Sequence, residues 1–144
     1  MARTTSFITG YLNLFFKNIA FAGIGDTNGI QPSAAPGNLY WALFTADPTV
    51  SGSIINEANY GGYARQPAVR GSGFTVSNGV VSNAGIIDFP KCTSGSSVCT
   101  YAALMSDLSG ATMLMSGVLA NNGLNVTVNI IPEFAIGALT VTPS

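Results

Sequence analysis

The run Leu39-Tyr40-Trp41-Ala42-Leu43-Phe44 decides the fold, because both of its alternating faces are apolar. A strand open to water on one side alternates apolar with polar residues, whereas one apolar on both sides must be covered on both. It is therefore expected as a central strand, with Trp41 in the core rather than on a ligand platform. The run breaks at Thr45-Ala46-Asp47-Pro48, and the chain then passes into Asn56-Glu57-Ala58-Asn59-Tyr60-Gly61-Gly62-Tyr63-Ala64-Arg65-Gln66-Pro67-Ala68-Val69.

Outward from this stretch the period of two persists. Strands are expected over 64–69, 74–77, 84–89, 98–106, 111–120, 124–131 and 134–142. Asn78-Gly79, between Val76 and Val80, is the strongest hairpin signal, since both residues tolerate the positive φ of a type I′ turn. Asp107-Leu108-Ser109-Gly110 and Asn121-Asn122-Gly123 supply further turns. In 124–131, Leu124, Val126, Val128 and Ile130 alternate with Asn125, Thr127 and Asn129, which predicts a half-exposed strand. Gly137 marks a site for a bulge in the last strand.

Before residue 38 the period is helical. Thr4, Thr5 and Ser6 are N-cap candidates, and Ile8, Leu12, Phe15 and Ile19 recur at steps of four, three and four, predicting a helix over 5–20. Phe7, Tyr11, Leu14 and Phe16 widen its apolar face, so it must pack on more than one side or against a neighbouring subunit. Gly23, Gly25 and Asn28-Gly29 end it, and an irregular connection follows through Pro32 and Pro36. The fold class is mainly β: an antiparallel β-sandwich or jelly-roll-like domain of about eight strands with one N-terminal α-helix. Residues 1–38 form the helix and connection, and 39–144 the sandwich.

Composition narrows the function. The 144 residues suffice for one ordinary domain. Charged residues make up 8%, against roughly 25% in an average soluble domain, and the net charge is −1. So little charge suits a surface covered by identical copies or by a larger assembly. The bases Arg3, Lys17, Arg65, Arg70 and Lys91 are scattered, which disfavours nucleic acid. Asn13, Lys17 and Asn18 interrupt the N-terminal apolar run, so neither a membrane span nor a secretory signal is expected, and synthesis is placed in the cytoplasm.

No catalytic constellation stands out. There is no histidine, which removes the commonest general base and metal ligand. The acids Asp26, Asp47, Glu57, Asp88, Asp107 and Glu133 fall at turns and strand ends, with no spacing that suggests a glycosidase pair. Neither an enzyme nor a cofactor is expected. Cys92 and Cys99 bracket a short polar loop; a disulfide worth about 2–3 kcal/mol and two free thiols both fit, while a metal site lacks further ligands. Arg65 reads as a strand residue paired with a turn carboxylate such as Glu57, with a binding role as the alternative.

The two stretches quoted first, from Leu39-Tyr40-Trp41 through Tyr60-Gly61-Gly62-Tyr63-Ala64-Arg65-Gln66-Pro67, resemble a family of small tailed-bacteriophage virion proteins, variously described as capsid decoration (cement), head-fibre or tail-fibre-like. The hairpin from Gly79 into Ile87-Asp88-Phe89-Pro90 and the ending Gly137-Ala138-Leu139-Thr140-Val141 resemble the same family. The Cys92–Cys99 loop and the connection 23–38 lie outside the likeness.

The resemblance implies a non-catalytic virion component. As a single compact domain without a repetitive shaft, it is expected to be a cement protein on the outer surface of the head, binding the major capsid protein or other virion proteins as a homo-oligomer, with a trimer favoured. A tail or fibre component touching the host surface is the alternative. Candidate contact residues are Phe7, Tyr11 and Phe15 on the helix and Asn56, Glu57, Asn59, Tyr60, Tyr63 and Arg65 in the loop after the central strand.

Overall fold

The computed structural model describes residues 2–51 and 54–143. Helix α1 (Thr5–Lys17) begins where Thr4 Oγ1 accepts the Phe7 N–H at 3.2 Å. It stops at Lys17 rather than Ala20, because Asn18 turns left-handed at φ 54°. Asn18 is held there by Ser33, whose N–H donates to Asn18 Oδ1 at 2.9 Å and whose carbonyl accepts from Nδ2 at 2.8 Å. Ile19, expected on the helix stripe, is left 51% exposed.

The strands are β1 (Asn38–Phe44), β2 (Gln66–Val69), β3 (Phe74–Ser77), β4 (Val80–Asn83), β5 (Ile87–Asp88), β6 (Ser97–Cys99), β7 (Tyr101–Met105), β8 (Met113–Val118), β9 (Leu124–Val126), β10 (Glu133–Phe134) and β11 (Thr140–Val141), with a short helix α2 (Pro48–Ser51) after β1. A four-stranded sheet β2-β1-β7-β8 packs on a three-stranded sheet β11-β4-β3, and the ribbons β5/β10 and β6/β9 complete an antiparallel β-sandwich.

β1 lies inside the larger sheet and is covered on both faces, as its sequence requires. Leu39, Trp41 and Leu43 enter the main core with Phe74, Val81 and Val141 of the opposite sheet. Ala42 and Phe44 enter a second cluster with Ala103 and Met105, flanked by Ile54 from the following loop. The Asn78-Gly79 hairpin also forms as expected, with φ of 50° and 78° between the paired Ser77 and Val80.

Several long strands of the sequence reading are interrupted. The 84–89 strand shortens to Ile87–Asp88 because buried Asn83 engages the backbone: its Oδ1 accepts the Leu139 N–H, and its Nδ2 donates to the Gly85 and Ala135 carbonyls. The 98–106 strand divides at Thr100, whose N–H donates to Phe44 O while its carbonyl accepts from Leu119 N–H. The 124–131 strand ends at Val126, since Asn129 turns left-handed at φ 74°; Val128 and Ile130 are consequently 51% and 40% exposed instead of in the core. In 134–142, Gly137 (φ 77°) makes a turn closed by Ala138 N–H on Ala135 O, rather than a bulge.

Helix α1 packs on β3, sinking Leu12 and Phe16 into the main core. Its last carbonyls are met by the β2–β3 turn. Gly71 N–H reaches Phe16 O at 2.7 Å, Arg70 Nε reaches Phe15 O at 2.6 Å and Arg70 Nη2 reaches Leu14 O at 3.1 Å. Lys17 Nζ returns two bonds of 2.8 Å, to Gly71 O and Phe74 O.

Candidate functional site

The loop between β1 and β2 turns its charged and phenolic groups inward. Arg65 is 4% exposed and grips Glu57 with a two-pronged ion pair, Nε on Oε1 and Nη2 on Oε2, both at 2.7 Å. Its Nη1 donates to the carbonyls of Asp107 and Gly110 at 2.9 and 2.8 Å. Tyr63 donates its hydroxyl to Glu57 Oε1 at 2.9 Å and accepts the Leu43 N–H at 3.0 Å. Burial, followed by the adjacent Glu57 charge, pushes the Tyr63 phenol well above its ordinary range. Asp107 closes its own turn by accepting from the Gly110 and Ser109 N–H groups and the Ser106 hydroxyl, and the Gly110 bond foremost lowers its pKa.

Both Glu57 oxygens are thus engaged, and three Arg65 nitrogens donate within the protein. The arrangement joins the 57–65 loop to the 107–110 turn, as a charged group does when it is buried with its partner. Three of the loop candidates, Glu57, Tyr63 and Arg65, meet in this cluster.

The others lie apart. Tyr60 is 3% exposed, donates to Pro90 O at 3.0 Å and stacks edge-on with Tyr63, which lies flat against Phe89. Burial, with smaller contributions from Cys99 and Cys92, pushes the Tyr60 phenol up to about 12. Asn59 is exposed, with its Oδ1 near the Ser97 hydroxyl at 3.5 Å. Asn56 is half-buried, and its carbonyl accepts the Thr45 N–H at 2.8 Å. Cys92 and Cys99 are both buried free thiols. Burial raises Cys99 to about 11.

The helix candidates Phe7, Tyr11 and Phe15 are on a different surface. Phe7 and Phe15 are 47% and 41% exposed, and the Arg70 guanidinium lies over the Phe15 ring at 5.7 Å. Tyr11 and Phe15 form one wall of a groove of about 490 Å³ whose other wall is β8, through Leu114, Met115 and Ser116. Sequence reasoning named the helix side of this groove and missed the β8 side. The signal was there: Met113 to Val118 is an uncharged run without proline, yet it reads as any interior strand until its neighbours are known.

The sandwich, the inward-turned ion pair and the apolar groove describe a β-domain whose charged groups are spent on its own fold. Comparison with known families makes this specific. The chain belongs to the Gp80 family, described as podophage GP4 fiber I protein gp80, whose model matches residues 10–142. The family is one of phage fibre proteins, a structural class of virion component. No curated protein matches the chain. Among the described residues, no helix is long and apolar enough to cross a membrane.

Proposed function

We propose that the chain is a structural component of a fibre on the phage particle, attached through the apolar surface around α1. The observation that carries this is the coincidence of exposed Phe7, Phe15 and Ile19 with an adjoining apolar groove, on a chain in which charged residues are 8%. Lys17, Arg65 and Arg70, three of the five basic residues, donate to carbonyls or a carboxylate within the fold. Aromatic side chains standing in water beside a groove are the usual anchors of a protein interface. The family description supports the fibre position.

A second reading, a decoration protein on the outer face of the head, is favoured by the single compact domain without a repetitive shaft. In either position, contact with the major capsid protein or another virion protein runs through α1, with Asn59 and the neighbouring loop as a further contact. Self-association, as a trimer, belongs to the same proposal. Locating a labelled chain in intact particles by electron microscopy tests it. Label at a fibre supports the first reading, label over the head the second, and particles that lack the chain overturn both.

A further inference from the structure

The exposed edges of this sandwich are not equally protected. An unpaired strand edge is a template for another strand, and proteins guard against this with proline, charge, short strands or a covering element. The β2 edge carries Pro67, which cannot donate to a further ladder. β3 lies under α1. β9 and β10 have only three and two residues. β8 is covered only in part, where β11 packs against it. It is six residues long, Met113-Leu114-Met115-Ser116-Gly117-Val118, with no proline and no charge, and it ends its sheet.

The direction of its backbone follows from the register. Leu43 N–H bonds to Tyr63 Oη and Leu43 C=O accepts from Ala58 N–H, both on the side away from β7. Alternation then turns Ala42 towards β7, so its partner Ala103 faces β1, and Ala102 and Leu104 face β8. Their partners Gly117 and Met115 face β7 in turn, and Ser116 points its N–H and C=O outward. At Gly117 the Thr140 carbonyl of β11 packs on the face of the strand, in the space a Cβ would need. From Ser116 back to Leu114 the edge opens as one wall of the α1 groove.

We infer that this groove takes an extended, apolar and uncharged segment of another protein of the particle, which adds to the sheet as a strand alongside β8. Unpaired backbone at Ser116 calls for an extended main chain, and Tyr11, Phe15, Leu114 and Met115 call for apolar side chains at alternate positions. Apart from Arg3 the lining carries no charge, so a charged segment finds little to answer it. A second copy's β8 is not the occupant, since each copy's edge is sunk between its own α1 and Thr142–Pro143. The inference rests on the virion reading and names the kind of partner that holds the chain there.

The test compares Ser116→Pro with Ser116→Ala in particles assembled without the native chain. Proline at 116 removes the outward N–H and leaves the β7 ladder alone. Incorporation is expected to fall about tenfold for Ser116→Pro, the worth of one main-chain hydrogen bond near the top of its range, and to stay unchanged for Ser116→Ala. The melting temperature of the free protein should be the same for both. A photoreactive side chain in place of Ser116 should cross-link to one segment of a different protein, while the same group at Val69 on the β2 edge should not. This second arm decides the matter where Ser116→Pro fails to fold. Full incorporation of folded Ser116→Pro, cross-linking to a second copy, or no cross-link in particles that contain the chain overturns the strand inference alone. Particles that never take up the chain overturn the virion reading and this inference with it.

Discussion

The guanidinium of Arg65 and the carboxylate of Glu57 meet in parallel, 2.7 Å apart at both contacts, with the two side chains 3% and 13% exposed. Once buried, each charge depends on the other, because an ion taken out of water without its partner loses several kcal/mol of hydration. Glu57→Met is therefore expected to cost about 3–5 kcal/mol. Adding Arg65→Met should recover part of the loss, since no charge then stays buried, although the bonds to Asp107 O and Gly110 O are lost as well. Urea denaturation of the two single variants and the double measures the coupling. A double variant as unstable as the sum of the singles would sink the account.

Arg70 acts at the other end of the fold. It meets the carbonyls of Leu14, Phe15 and Pro36 while lying over the Phe15 ring, so one side chain caps α1 and fastens it to the β2–β3 turn. Arg70→Met should cost about 1–2 kcal/mol, below the range for a fully buried charged bond because the residue is half-exposed. Hydrogen exchange should quicken in α1 and leave β1 and β7 unchanged. Equal acceleration throughout would mean that the helix and the sandwich open together.

Gly117 sets how closely β8 and β11 approach. A Cβ there would run into the Thr140 carbonyl, which is backbone and cannot swing aside. Gly117→Ala is expected to destabilise by about 1–3 kcal/mol through forced separation of the strands. Gly85→Ala is the control: nothing lies within 4 Å of its added methyl, so its effect should stay within about 0.5 kcal/mol. Similar losses at both positions would show that Thr140 does not limit Gly117.

The sequence made the centre of this fold readable because β1 is governed by a pattern the chain carries locally. Apolar residues on both faces leave no arrangement except one covered on both sides, and Asn78-Gly79 admits one turn. Arg65 with Glu57 was legible for a similar reason, since a lone base in a strand needs a nearby acid. What stayed hidden depends on distant partners. Asn18 ends α1 because Ser33 holds it, and Asn83 breaks its strand because Leu139 and Ala135 come to it from the end of the chain. Asn129 looks like the polar half of an alternation until it turns left-handed and pairs with Cys92. The β8 run showed no charge or proline, but its place beside the groove was hidden, since an edge strand differs from an interior one only in what lies beside it.

Burial of Cys99 and Tyr60 gives the fold a particular weakness to alkali. Both groups are held neutral: Cys99 rises from an ordinary 9.0 to about 11, and Tyr60 from 10.0 to about 12. In the unfolded chain they ionise at the ordinary values, so above those values the unfolded state binds fewer protons than the folded one and stability falls as pH rises. The loss should begin near pH 9 with the thiol and continue through pH 10 to 12 with the phenols of Tyr60 and Tyr63. Urea midpoints measured from pH 8 to pH 12 test this. Cys99→Ala should flatten the part between 9 and 10, while Tyr60→Phe should lessen the slope between 10 and 12 without removing it, because burial also holds Tyr63 neutral there, and should cost about 1 kcal/mol at every pH through the lost bond to Pro90 O. The same burial keeps the native thiols slow towards aromatic disulfide reagents at pH 8, with full reaction only after unfolding. Rapid native labelling, or wild-type stability that stays level from pH 9 to 11, would mean that the Cys99 thiol reaches water and that burial does not set its ionisation.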